Sequence, residues 1–261
     1  MRFQRNSGST ATTFGYLAYN VESVDWIPLA GRPVTFSFHA RAGANFSPSS
    51  SVLNFRLATG TGTDQNLNNT GFTGQVNTDS TATLTTSWQR YTTTITAPSS
   101  TTQFGVQFWS QFTGTAGAND WYEITGVQLE SGTVATPFKR NAPSIAAELA
   151  ACQRYYQRYQ GGIGCSLSGA GYSGSEILMG FSLPVPMRTT ISASISGQII
   201  VSDQYTSDPI ASSAAMVALQ GATNNGGRFL IGGFSGIVTG RFYSTPSVNV
   251  GGGSLQFSAE L

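Results

Sequence analysis

Side chains able to do covalent chemistry are few in this sequence and stand far apart. His39 is the sole histidine, and alternation along Val34–Ala40 sets it on the face opposite Val34, Phe36 and Phe38. No serine stands in a Gly-x-Ser-x-Gly turn beside a helix. Both observations argue against a Ser-His-Asp triad and against a histidine-led metal site. The acids Glu22, Asp25, Asp64, Asp79, Asp120, Glu123, Glu130, Glu148, Glu176, Asp203, Asp208 and Glu260 fall singly along the chain. Glycosidic cleavage needs two carboxyl groups at a set separation, and a pair assembled in space stays open. Gly169-Ala170-Gly171-Tyr172-Ser173-Gly174 has the spacing of a phosphate-cradling glycine loop, but no strand-turn-helix unit follows, so the stretch reads as a flexible loop. Cys152 and Cys165, without clustered histidines, do not make a zinc site. Both are expected to be unpaired, with Cys152 a small buried hydrophobe on an apolar helical stripe. The sequence thus predicts no catalysis, no metal and no cofactor.

Non-covalent recognition is better provided for. Flat aromatic faces stack on sugar rings while Asn, Gln and Asp satisfy hydroxyls. Trp109 alternates away from Phe104, Val106 and Phe108, and Trp121 alternates away from Tyr122 and Ile124. The loop between these tryptophans carries Gln111, Phe112, Asn119 and Asp120. Trp109, Trp121, Phe112, Gln111, Asn119 and Asp120 are therefore the expected glycan-binding residues, with burial of the rings in a core or subunit interface as the alternative.

The elements that must hold these residues are β-strands. With 31 glycines, 11% aromatic and only 10% charged residues among 261, the composition suits many short strands joined by tight turns. Alternating patterns mark 34–40, 51–57, 88–96, 103–109 and 121–129 as half-buried antiparallel strands, separated by polar loops such as 58–76 and 97–102. After Asn141-Ala142-Pro143-Ser144, residues 145–154 read as a short alanine-rich helix with Ser144 or Asn141 as its N-cap. Ile145, Leu149, Cys152 and Tyr156 then form a seam, which suits packing on the chain's own sheets or on symmetry mates. Strand candidates resume at 163–167, 176–181, 190–201, 214–219, 228–231, 237–243 and 254–261. The expected architecture is all-β: an antiparallel jelly-roll sandwich over residues 1–140, a helical connector over 141–154 and a smaller β-sandwich over 155–261.

Thirteen lysines and arginines against 12 acids leave no basic field to hold nucleic acid or an anionic membrane. No apolar run reaches the roughly 18 residues that mark a membrane-spanning helix. No signal-peptide core follows Met1, so export by the general route is not expected.

The segment Gly126-Val127-Gln128-Leu129-Glu130-Ser131-Gly132-Thr133-Val134-Ala135-Thr136-Pro137-Phe138-Lys139-Arg140 resembles a junction common in phage tail proteins. Glu148-Leu149-Ala150-Ala151-Cys152-Gln153-Arg154-Tyr155-Tyr156 looks like the helix-to-strand step that follows it there, and Leu183-Pro184-Val185-Pro186-Met187-Arg188 is similar to a strand of their terminal domain. Upstream, Pro28-Leu29-Ala30-Gly31-Arg32-Pro33-Val34-Thr35-Phe36-Ser37-Phe38 and Ser87-Trp88-Gln89-Arg90-Tyr91 resemble the jelly-roll carbohydrate-binding modules attached to many polysaccharidases. The resemblance implies a virion tail-fibre or receptor-binding protein, assembled in the host bacterial cytoplasm and homotrimeric. Its implied partners are other virion tail proteins and a host-surface polysaccharide. It also implies a core position for Trp88. Two alternatives stand beside it: a fibre or capsid-decorating spacer without a ligand, and the ancillary sugar-binding module of a polysaccharide-degrading enzyme. Because Met1 begins almost inside a strand, the chain is expected to be a fragment of a longer fibre or to be anchored by another protein.

Overall fold

Period-two alternation gives a strand one face to bury, and the N-terminal strands bury theirs against each other in two layers. The computed structural model describes residues 1–160, 167–203, 210–211, 215–244 and 253–259. The chain divides into two units, Met1–Lys139 and Arg140–Glu260.

The first unit contains eight strands: β1 (Arg2–Gln4), β2 (Phe14–Val21), β3 (Pro33–Ala42), β4 (Val52–Gly60), β5 (Val76–Thr83), β6 (Gln89–Thr96), β7 (Gln103–Gln111) and β8 (Trp121–Ser131). They form two antiparallel sheets, ordered β1-β8-β3-β6 and β2-β7-β4-β5. Only β4 and β5 are consecutive neighbours within one sheet; every other connection crosses from sheet to sheet, which is jelly-roll topology. Phe36 and Phe38 of β3 meet Phe55 and Phe108 of the facing sheet, with Phe38 edge-on to Phe108 at 4.9 Å. A single helical turn, α1 (Ser23–Trp26), sends Trp26 into this core, where its ring stacks on Phe104 at 4.6 Å.

One end of the sandwich is tied by a buried ion pair. Arg5 Nη1 donates to Asp120 Oδ2 at 2.9 Å and to the Thr113 carbonyl at 3.1 Å, while Nη2 donates to the carbonyls of Ser9 and Gly114 at 2.8 and 2.9 Å. Asp120 also accepts from the Ser47 backbone N–H and hydroxyl, both at 2.9 Å. The β1–β2, β3–β4 and β7–β8 connections thus converge on two side chains.

The second unit opens with helix α2 (Ile145–Gln153), followed by β9 (Tyr156–Gln160), β10 (Ser168–Ser173), β11 (Glu176–Ser182), β12 (Ser192–Ser196), β13 (Ile200–Val201), β14 (Ile210–Ala211), β15 (Ala215–Thr223), β16 (Gly226–Gly232), β17 (Phe242–Ser244) and β18 (Ser254–Ser258). These make antiparallel sheets ordered β15-β16-β11-β10-β17, β12-β18-β9 and β13-β14. Ile177, Met179, Phe229 and Ile231 from the first sheet and Leu255 and Phe257 from the second share a buried core.

Several expectations need correction. The glycine motif from Gly169 is strand β10, not a loop. Gly171 lies so close to its neighbours that a Cβ there would stand 2.2 Å from the Val238 carbonyl oxygen, so its glycine serves backbone packing. Leu183–Arg188 is no strand, because Pro184 and Pro186 lack the N–H groups a ladder needs. The candidate at 237–243 shrinks to β17, and that at 190–201 splits into β12 and β13. Ser144 caps α2, its hydroxyl accepting from the Ala147 N–H at 3.2 Å, yet no residue of the helix is buried. Cys152 is exposed rather than interior, and is unpaired; Cys165 and most of 163–167 lie outside the described residues.

Removing one member of a buried ion pair strands the other charge, at a typical cost of about 3–5 kcal/mol. Asp120→Ala should therefore lower the urea midpoint of the first unit by an amount corresponding to that range, while Asp79→Ala, at an exposed pair, shifts it little.

Candidate functional site

The structure does not bring the six expected glycan-binding residues together. Trp109 and Trp121 both point away from the core, as alternation predicts, but β7 and β8 belong to different sheets. Their rings therefore lie on opposite outer faces of the sandwich. Phe112 is 1% exposed and packs on Phe3 at 5.5 Å: the β7–β8 crossover carries it through the interior. Asp120 is fully buried, its carboxylate engaged by Arg5 and Ser47. Gln111 and Asn119 are exposed. Phe112 and Asp120 are thus structural residues, and no joint platform exists.

Trp109 instead belongs to a cross-strand row on the β2-β7-β4-β5 face. Tyr16 of β2 and Asn54 of β4 are its register partners on either side. Tyr16 is exposed, and its ring lies 5.7 Å from that of Phe14. The Arg56 guanidinium sits over the Trp109 ring at 5.2 Å and forms a two-point pair with Asp79 at 2.6 and 2.8 Å. The hydrogen bond from Arg56 holds the Asp79 carboxyl below its ordinary range against the opposing effect of desolvation. One row further, Gln107 Nε2 donates to Asn68 Oδ1 at 2.7 Å, linking the face to the β4–β5 connection, where Leu67 and Phe72 cover Ala58. Tyr16, Asn54 and Arg56 were not singled out from sequence. The β4 pair was legible, since Leu53, Phe55 and Leu57 point inward and leave Asn54 and Arg56 outside.

Trp121 stands in a different cluster on the β1-β8-β3-β6 face. It packs so closely on Gly43 that a Cβ there would lie 2.8 Å from the indole Nε1. Arg2 lies over the Trp121 ring at 4.3 Å, and Arg41 lies 5.5 Å from that ring and 4.8 Å from the ring of Trp88. Trp88 is 42% exposed, not a core residue. Tyr91 and Ile95 of β6 pack on the core, and position 88 falls on the opposite parity. Between the arginines, Glu123 accepts from Arg2 Nε at 2.9 Å and from Arg41 Nε at 2.6 Å. Burial pushes the Glu123 carboxyl upward, but the arginine hydrogen bonds outweigh it and leave the group below its usual value.

A cleft of about 430 Å³ between Met1, Leu17, Tyr19, Val106, Phe108, Ile124 and Val127 is mainly apolar, and offers little to a polyhydroxylated ligand. Among the described residues, no three His, Cys, Asp or Glu side chains stand together to hold a metal ion. No helix among them is long and apolar enough to cross a membrane.

Fold and surface together define an all-β protein with a jelly-roll unit, aromatic–arginine clusters on both outer faces of that unit, and a second antiparallel β unit. No family model matches the chain, and no curated protein does. Among solved structures it is similar to the N-terminal CBM22-1–CBM22-2 tandem domain of Paenibacillus barcinonensis Xyn10C. That likeness has 15% identity and a TM-score of 0.31, over 97% of this chain and 85% of that one; at that level it carries no weight for function.

Because Glu123 has a lowered folded pKa, its stabilising contribution is complete above the ordinary value of 4.5 and is lost as pH falls through the lower folded value. The stability difference between the native protein and Glu123→Gln should accordingly be constant above that pH and shrink below it. Parallel acid-unfolding curves for the two would contradict this.

Proposed function

We propose that the chain is a non-catalytic adhesion protein that binds a host-surface glycan as part of a virion tail fibre. The observation that carries the binding reading is the outward-facing row of Tyr16, which is exposed, and the half-buried Trp109 and Asn54, with Arg56 beside it. A pyranose has an apolar C–H face and a rim of hydroxyls. An indole flanked by a phenol, an amide and a guanidinium meets both needs. Aromatic contacts contribute on the order of 1 kcal/mol each beyond area burial, so one site binds weakly and several joined copies bind well.

The fibre reading rests on the residues Gly126–Arg140 and Glu148–Tyr156 quoted above, which also motivate a homotrimer, placement in the virion and contact with other tail proteins. Helix α2 gives the trimer a physical motive. Nine residues make a marginal helix without tertiary packing, yet Ile145 is 72% and Leu149 57% exposed, so a neighbouring copy's helix would supply what is missing. Tyr156, the last seam residue, lies at the start of β9 and is exposed as well.

Trp109→Ala and Tyr16→Ala should each weaken adsorption to the host and abolish the signal from neutral glycans on an array while leaving the thermal midpoint nearly unchanged. A large fall in midpoint without loss of binding would place the ligand elsewhere. Native mass spectrometry at micromolar concentration should give a trimer, and Leu149→Asp a monomer; a wild-type monomer contradicts the helix seam.

A further inference from the structure

On the face opposite Trp109, we infer a second, chemically distinct binding site, built by Arg41, Trp88, Trp121 and Arg2, for the carboxylate of an acidic sugar. The observation is how the arginines divide their donors. Arg41 reaches Glu123 through Nε alone, and its Nη1 and Nη2 have no hydrogen-bond partner among the described residues. Arg2 uses Nε and Nη2 on the other oxygen of Glu123 and leaves Nη1 over.

Two indoles hold the Arg41 guanidinium in place, Trp88 at 4.8 Å and Trp121 at 5.5 Å, and Gly43 backs Trp121. The donor fork is therefore pre-organised, which lowers the entropy lost when it engages a planar oxyanion. Its side chain is still 34% exposed. The charge balance also favours an anion. Two guanidiniums face one carboxylate, and the next row of the sheet, Thr125, His39 and Arg90, brings no acid.

A bare anion would satisfy the fork but not the exposed indole of Trp88 beside it. A uronate satisfies both, with its carboxylate on the Arg41 fork and its pyranose ring on Trp88. This site does not depend on the Trp109 row and extends the glycan reading to a second ligand class.

The experiment titrates the full chain with trigalacturonate and with its methyl ester, the same saccharide without charge, by calorimetry at low and high salt. The acid should bind at least about tenfold more tightly than the ester, and salt should weaken it. Arg41→Lys, which keeps the charge but loses the fork, should weaken the acid by about tenfold or more, with circular dichroism showing a folded protein. Trp88→Ala, at an exposed position, gives the same reading should Arg41→Lys not fold. Trp109→Ala should leave binding of the acid intact. Equal affinity for acid and ester, no binding of the acid, or indifference to both the Arg41 and Trp88 changes would overturn the proposal. Loss of neutral-glycan binding in Trp109→Ala alone bears only on the other face.

Discussion

Much of the first unit hangs on the pairing of Arg5 with Asp120. Three crossovers between the sheets end at these two side chains, and each contributes backbone or hydroxyl groups to them. A buried ion pair of this kind contributes less net stability than its Coulomb attraction suggests, because desolvation opposes it. Its value here is positional. It fixes where β7 ends and β8 begins, and so sends Trp109 to one sheet and Trp121 to the other.

That crossover is set by non-local pairing, whereas the pattern along each strand is local. Alternation gave the correct parity for Trp109 and Trp121, and for Arg56 opposite Phe55 and Leu57, since parity is a local property of extended backbone. The core assignment of Trp88 came from resemblance, and the parity of β6 overruled it. Whether two successive strands pair or cross to opposite sheets is a non-local matter, and a polar loop of 112–120 suits either. Strand β5, Val-Asn-Thr-Asp-Ser-Thr-Ala-Thr, lies almost wholly outside the expected strands and loops, because an edge strand with one wet face carries little apolar signal. Helix α2 and its cap were legible, since a capping serine followed by an alanine-rich run is a local signal. The exposure of Cys152 was not, because burial depends on what lies opposite the helix.

The outer faces show how the same residue types give different electrostatics. On the β2-β7-β4-β5 face, Arg56 is spent in a two-point pair with Asp79, so the aromatic surface beside it is close to neutral. On the β1-β8-β3-β6 face, a single Glu123 is divided between two arginines, and donors remain. What separates a neutral surface from an anion-seeking one is the placement of a single acid on a register position.

The pairing of β1 with β8 has a consequence for synthesis. Met1 and Ile124 exchange backbone hydrogen bonds across 123 positions of sequence, so the outer strand of one sheet waits for nearly the entire unit to be translated. At bacterial and eukaryotic elongation rates of about 5–20 residues per second, that wait is roughly 6–25 s. During it Phe3 has no Phe112 or Tyr122 to stack on. Closure of the sandwich is therefore tied to the ribosome's pace, and the nascent chain spends those seconds with an open sheet edge that a chaperone would need to shield.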